Sequence, residues 1–256
     1  MSHPRLYNSE ALVLKGLDFG EANRIITLYT PELGKLRVVA RGMRKANSKL
    51  SGHLEPLTHV HISIARGQNL DMVNQAETLH GYSLLREDLD RLSQALYIVE
   101  LIDQFVADEV SNYPLYNLLL NTLKRLEKAT NPELLVRCFE MEMLTYVGYQ
   151  PELHWCIECR QRLEPDDHLF NCAMGGIMCP ECRTWSGDPL IPLSLNTMKV
   201  LRFIQREGYQ RASALNVPKR TLMEAERLMR TYIRYTLDRD VKAGTFMNLV
   251  KLAGSA

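Results

Sequence analysis

No apolar run in the chain reaches the roughly 18 residues that a membrane-spanning helix needs. The opening Met1-Ser2-His3-Pro4-Arg5 lacks the basic-then-apolar-then-small succession of a secretory leader, so a cytoplasmic protein is expected. Catalytic signatures are missing as well. There is no GxxxxGK[ST] phosphate loop, no HExxH, no GxSxG and no GxGxxG. Carboxylates are scattered, and none cluster as a two-metal nuclease requires; Glu21 and Arg24 are explained as well by a salt-bridged turn as by chemistry. These absences predict a protein that is not an enzyme. Net charge is nearly absent too, with 31 Lys+Arg against 30 Asp+Glu, a formal +1.

What is present is ordinary globular material, 46% hydrophobic and 24% charged, which excludes disorder as the main state. At 256 residues the chain exceeds one average domain. The first 80 or so residues read as strands. Residues 11–14, 24–29 and 35–41 are short and rich in β-branched side chains, 59–64 alternates strictly, and 70–73 follows a turn-rich junction. Five short strands in such a span suggest a small closed barrel. The stretch Gly42 to Pro56 is long for a connection, as functional or mobile loops are.

Beyond residue 83 the period becomes helical. Leu89, Leu92, Leu96, Val99, Ile102 and Val106 form one apolar stripe. A second helix is expected from Pro114 to Lys128. A third has Asn131 as its cap, Pro132 at its first position and Gly148 at its end. Residues 194–207 and 219–242 give two more, stopped by Gly208 and Gly244. The expected class is therefore α+β and multidomain: a strand domain over 1–80, helices over 81–150, a cysteine module over 151–190 and further helices over 191–256.

Six cysteines in a reducing compartment are not expected to form disulfides. Four stand as Cys156-Ile-Glu-Cys159 and Cys179-Pro-Glu-Cys182. A CxxC turn aims two thiolates at one ion, and two such turns complete a tetrahedral shell of four sulfurs. Soft thiolates without a redox partner suit one Zn²⁺, and a filled shell leaves no position for water, so the site is read as structural. His154, His168 and Cys172 lie close enough in sequence to replace a ligand, although packed or surface roles explain each. Cys138, beside Phe139 in a helix, reads as a small core residue.

From Leu33 to Leu54 there are six basic residues, Lys35, Arg37, Arg41, Arg44, Lys45 and Lys49, and no acid. Such a line on a strand and its loop can track a phosphodiester backbone; six contacts imply a log–log salt slope of about −4 on a single strand. Tyr29 and Phe19 are the only rings nearby, which favours backbone electrostatics over base stacking. Arg220, Arg227, Arg230 and Arg234 along the last long helix form a possible second phosphate face. A solvated charged surface explains them equally well. The overall +1 is an average: 1–82 carries +3, 83–150 carries −5, 151–196 carries −4 and 197–256 carries +7. The distribution of charge is thus compatible with a nucleic-acid partner although the sum is not suggestive of one.

The local sequences Gly20-Glu21-Ala22-Asn23-Arg24, Gly34-Lys35-Leu36, Ala40-Arg41-Gly42-Met43-Arg44 and Leu54-Glu55-Pro56 resemble the bacterial recombination-mediator family RecO. With the order of barrel, helices and CxxC…CxxC, the resemblance covers nearly the whole chain; Asn23 stands where that family often has Asp. It implies an OB-fold DNA-binding domain, a helical domain and a zinc-finger module. Members of the family anneal complementary single strands and bind single- and double-stranded DNA. With RecR they help load RecA on DNA coated with single-stranded-DNA-binding protein, without nucleotide hydrolysis and at the nucleoid. Contact with the acidic tail of that coating protein would need a basic rim, for which Lys124, Arg125 and Arg137 are the candidates. Two other classes fit parts of the sequence: a protein-only zinc adaptor, and a zinc-dependent hydrolase or nuclease built on His154 or His168.

Overall fold

The computed structural model describes residues 6–182, 190–238 and 241–253. The amino-terminal pentapeptide and residues 183–189 of the cysteine module lie outside the described residues. Packing divides the chain into two units, one running to Glu127 and taking in the segment from Thr245, the other spanning Lys128–Gly244.

The first unit opens with five strands: β1 (Leu6–Phe19), β2 (Asn23–Thr30), β3 (Gly34–Ala40), β4 (His59–Ala65) and β5 (Asp71–His80). β1 is far longer than the apolar run 11–14 that marks it in the sequence. Its first half, Leu6–Leu12, pairs with β4 and its second half, Leu12–Phe19, with β2. A register shift between Val13 and Lys15 lets the strand bend from one neighbour to the other. β2 pairs with β3, β3 runs parallel to β5, and β5 pairs with β4, so each of the five strands has two hydrogen-bonded neighbours. Alternate residues point inward. Val13, Ile26, Leu28, Val38, Ile62 and Ile64 fill the interior.

The connection between β3 and β4 packs against the sheet along much of its length. Met43 and Leu54 are buried in the core of the sheet, with Leu50 packed against it. The start of the connection is fixed to the β1–β2 hairpin, where Arg44 N–H donates to the Ala22 carbonyl at 3.1 Å and Gly42 N–H to Asn23 Oδ1 at 2.9 Å. Apolar residues inside a basic loop are therefore plugs.

Helices α1 (Ser83–Glu87), α2 (Leu89–Phe105) and α3 (Tyr113–Leu126) pack in this same unit, alongside the strand domain expected over 1–80. The reason is contact: Lys15 and Lys35 both reach Asp103 on α2, and the Tyr29 ring meets Tyr116 on α3 edge-on at 5.8 Å. Leu89 is exposed, while Ser93, Gln94 and Tyr97 are buried with the predicted Val99 and Ile102, so α2 is enclosed over more of its circumference than one stripe.

The residues after α2 run against the β2–β3 turn, with Glu109 N–H donating to the Lys35 carbonyl at 3.0 Å. Gly34 makes this approach possible. Its φ is +68°, and a Cβ there would stand 2.3 Å from the Val110 carbonyl oxygen. Gly34→Ala is expected to lower stability by about 2–4 kcal/mol, combining left-handed strain with a backbone overlap. A urea-unfolding midpoint equal to that of the native protein would contradict this.

The second unit contains α4 (Pro132–Tyr146), a three-stranded sheet of β6 (His168–Asn171), β7 (Gly176–Met178) and β8 (Leu190–Leu193) in the order β7-β6-β8, then α5 (Leu195–Ala212) and α6 (Lys219–Leu237). α7 (Lys242–Ala253) follows. The caps of α4 match their sequence signals, whereas the helix expected over 219–242 ends at Leu237, where Asp238 turns left-handed at φ 51°, and Gly244, its expected stop, lies within α7. Asn131 Oδ1 accepts from Leu134 N–H at 3.0 Å, Pro132 opens α4, and Gly148 takes a φ of 83° beyond its end. At Gly208, φ 66° and ψ −173° break α5, and a further helical turn follows the break. The α5 start is held by α6: Ser194 Oγ donates to Glu224 Oε2 at 2.7 Å and Ser194 N–H to Oε1 at 2.6 Å. Cys138 is buried within α4, as its setting predicts. Among the described residues no helix is long and apolar enough to cross a membrane.

Candidate functional site

The four CxxC cysteines converge. The sulfurs of Cys156, Cys159, Cys179 and Cys182 lie within 4.8 Å of one another, and Cys159 and Cys179 are 3.8 Å apart. That is the edge of a tetrahedron whose corners stand about 2.3 Å from its centre, the bond length of a thiolate to zinc, giving an edge of about 3.8 Å.

Each turn is locally built for this. Arg160 adopts φ 60°, and its N–H donates back to the Cys156 carbonyl at 3.0 Å; Cys182 N–H donates to the Cys179 carbonyl at 3.1 Å. The first turn is laid on β7, because Ile157 N–H donates to Ile177 O and Ile177 N–H to Glu152 O, both at 3.0 Å. Only glycine fits at 176, where a Cβ would come within 2.4 Å of Ile157 Cγ2. Burial acts to raise the Cys156 thiol, but backbone N–H groups of Cys179, Cys159 and Glu158 outweigh it and bring the thiol down to about 6. Cys179 N–H stands 3.4 Å from that sulfur. Four sulfurs converging within 4.8 Å of one another are a donor set for a soft cation, so the residues present fit a metal held by four sulfurs.

The other possible ligands are elsewhere. His154 is exposed, and the four sulfurs form the cluster without it. His168 is buried with Nε2 on the Glu164 carbonyl at 2.8 Å, and burial pushes the Cys172 thiol up to about 11. Among the described residues the four cysteines are the one group of His, Cys, Asp or Glu side chains placed to share an ion.

The module is tied to α6 through an aromatic. Tyr232 Oη donates to the Tyr149 carbonyl at 3.0 Å, and its ring meets Phe170 of β6 edge-on at 5.3 Å. Gly175 leaves room for that hydroxyl, since a Cβ would lie 2.8 Å from it.

The basic stretch divides in two. Lys35 is only 8% exposed; its Nζ donates to the Asp103 carbonyl at 2.6 Å and pairs with Asp108 at 3.4 Å, so it fastens β3 to the helices. Arg37 is exposed but paired with Asp108 at 2.8 Å, and Arg44 with Asp18 at 3.5 Å. Arg41, Lys45 and Lys49 are exposed and have no ion pair among the described residues. Of the two rings nearby, Tyr29 is buried and Phe19 is exposed. Asn23, the departure from the family pattern, accepts the Gly42 N–H through its amide oxygen, a role an Asp carboxylate fills equally.

On α6, Arg220, Arg227 and Arg234 are exposed at seven-residue spacing, hence on one side, while Arg230 is half-buried with Glu226 at 4.0 Å. Lys124 is exposed and Arg125 half-buried near the end of α3. Arg137 does not offer a rim charge. It is 3% exposed and bonded at 2.9 Å to Glu140, which is fully buried. The sequence reading missed that pair's burial and the short sheet carrying the cysteines. The Gly175-Gly176 pair after Asn171, whose Oδ1 accepts from Ala173 and Met174 N–H, was its available signal.

A five-stranded sheet, the helices that follow it and a cluster of four cysteines that could hold a metal ion define a modular α+β protein. Comparison with known proteins narrows this. The families described as recombination protein O N terminal and recombination protein O C terminal match residues 1–82 and 86–244. The DNA repair protein RecO of Roseiflexus sp. (strain RS-1) is 38% identical over 248 residues, covering 96% of this chain and 87% of the relative. That of Dehalococcoides mccartyi (strain BAV1) is 36% identical over 253 residues, 99% of each chain, and that of Bacillus pumilus 33% over 244 residues, 95% and 94%. The chain belongs to the RecO family of DNA repair proteins.

Proposed function

We propose that the chain is a non-enzymatic mediator of DNA recombination that binds DNA and anneals complementary single strands. With RecR, it helps load RecA on DNA coated by single-stranded-DNA-binding protein, in the cytoplasm at the nucleoid. The observation that carries this is the lane of exposed cations at Arg41, Lys45 and Lys49, set on a loop that folding has already fixed. We read the five-stranded sheet as an OB-type barrel and the four-cysteine centre as a structural Zn²⁺ site.

The lane neutralises phosphates. Two strands can then approach while their bases stay open to pairing, and complementarity is read by the bases themselves. Arg37 and Arg44 join the lane by exchanging exposed carboxylates for phosphates, a cheap exchange since exposed ion pairs contribute at most about 1 kcal/mol. Lys35, held in its buried network, is left out. Five contacts then imply a salt slope of about −3.5 on a single strand, below the six-contact value. Arg220, Arg227 and Arg234 form a second face of the same chemistry. Lys124 and Arg125 are the remaining candidates for the acidic tail of the coating protein.

The test is annealing of complementary strands coated with the cognate single-stranded-DNA-binding protein, without ATP. The native protein is expected to accelerate it, and the triple variant Arg41→Ala/Lys45→Ala/Lys49→Ala to lose that acceleration, with its salt slope shallower by about 2. DNA affinity absent at low salt, or indifferent to the triple variant, would instead favour an adaptor that binds acidic proteins.

A further inference from the structure

The outer face of β1, β2 and β3 is covered at one end and bare at the other. By alternation from the Val13/Lys15 register shift, Lys15, Leu17 and Phe19 share the outer side of β1. At the covered end Lys15 and Lys35 are drawn to Asp103 of α2, and Thr27 between them is buried. At the bare end Leu17 is 59% exposed and Phe19 50%. Leu17 pairs with Ile25 and Ile25 with Val39, which form an apolar floor, while Phe19 pairs with Asn23 at the hairpin tip.

This bare end borders the cationic loop. Arg44 Nη1 donates to the carbonyl of Gly20, the residue after Phe19, at 3.4 Å. Asn23, opposite Phe19, holds the Gly42 N–H at 2.9 Å. Arg24 and Arg44 are both paired with Asp18, and Arg24 also with Glu55; Arg24 stands opposite Ala40 in the sheet, so the exposed Arg41 follows directly after that pair. An exposed ring thus sits where the phosphate lane begins.

Resting on the reading of this unit as the DNA interface, we infer that Phe19, flanked by Leu17, is a stacking platform for one unpaired nucleobase whose phosphate lies against Arg41 and Arg44. Two protruding side chains offer too little area for a folded protein, which needs about 800 Å² per partner. They match one base, and the positive charge alongside matches its phosphate. One occupied platform leaves neighbouring bases free to pair. It also gives the protein a preference for single strands that a cation lane alone does not confer, because a base within a duplex is already stacked. The scarcity of rings in the sequence suggested phosphate binding alone; the exposure of this one ring adds a base contact.

The test measures binding of the full chain to fluorescein-labelled oligo(dT) and to an abasic tetrahydrofuran oligomer of equal length. Phe19→Ala is expected to weaken oligo(dT) binding about 10-fold, with the salt slope unchanged and abasic binding unaffected. Phe19→Trp should retain affinity, and its added emission should be quenched by oligo(dT) and not by the abasic strand. Equal weakening on both strands, or none on either, overturns the platform while leaving the cation lane standing. Failure of the native protein to bind either strand overturns the DNA reading itself and the platform with it.

Discussion

Removing the metal from the four-cysteine centre is expected to collapse the module that carries it. Binding of a structural Zn²⁺ by four thiolates is worth on the order of 10 kcal/mol in isolated fingers, comparable to the whole stability of an ordinary domain. The local frame has little else to rely on: β7 is three residues long, and the first CxxC turn rests on it through single backbone bonds. Treatment with a strong chelator, or Cys179→Ser, should lower the thermal midpoint by at least about 10 °C and open the 151–182 region to proteolysis. On chelation of the native protein one ion per chain should be released, and four thiols should become reactive along with it. The salt-dependent affinity for single-stranded DNA should change little, because the cation lane belongs to the other unit. A metal-free, reduced protein with an unchanged midpoint would refute the structural role. One ion held by fewer than four thiolates would revive a catalytic site at His154 or His168.

Breaking the buried pair in α4 should be nearly as costly. Arg137 and Glu140 are both enclosed and bonded at 2.9 Å. Arg137→Met removes the bonded cation from beside a fully buried carboxylate, an expected loss of about 3–5 kcal/mol. Replacing both, as Arg137→Met/Glu140→Leu, should restore part of it, since the buried carboxylate is then removed with its cation. Urea unfolding of the three proteins decides the matter. A double variant no better than the single one would mean that the site demands charge for another reason. A binding defect in an Arg137 variant would therefore report lost stability, so Lys124 is the residue at which the proposed contact with the coating protein's tail should be probed.

Where local chemistry decides structure, the sequence was readable. The two CxxC turns, the Asn131-Pro132 cap and the Gly208 break each depend on a few adjacent residues, and each is present. Where distant residues decide, it was not. Lys35 lies in a strand pattern that reads as exposed, and becomes a buried anchor because Asp103, 68 residues further on, closes over it. β1 hides its length behind Asn8, Ser9, Glu10, Lys15 and Gly16, polar or flexible residues that are strand only because β4 and β2 supply partners. Arg137 and Glu140 stand three apart, as an exposed helical ion pair would, and nothing in that spacing announces enclosure. The acid-free basic stretch from Leu33 to Leu54 is visible in the sequence as a charge run. Its division into anchored and open members required the fold.

The plugs beneath the basic loop have a kinetic meaning. Since Met43, Leu50 and Leu54 hold the backbone between β3 and β4 in the free protein, that chain does not have to be ordered at the moment of encounter. The cations that follow Ala40 present a standing field, so capture of a strand should be governed by diffusion and ionic steering, with no slow closing step of the loop. Under the proposed annealing role, release of a strand would likewise need no reopening of the loop.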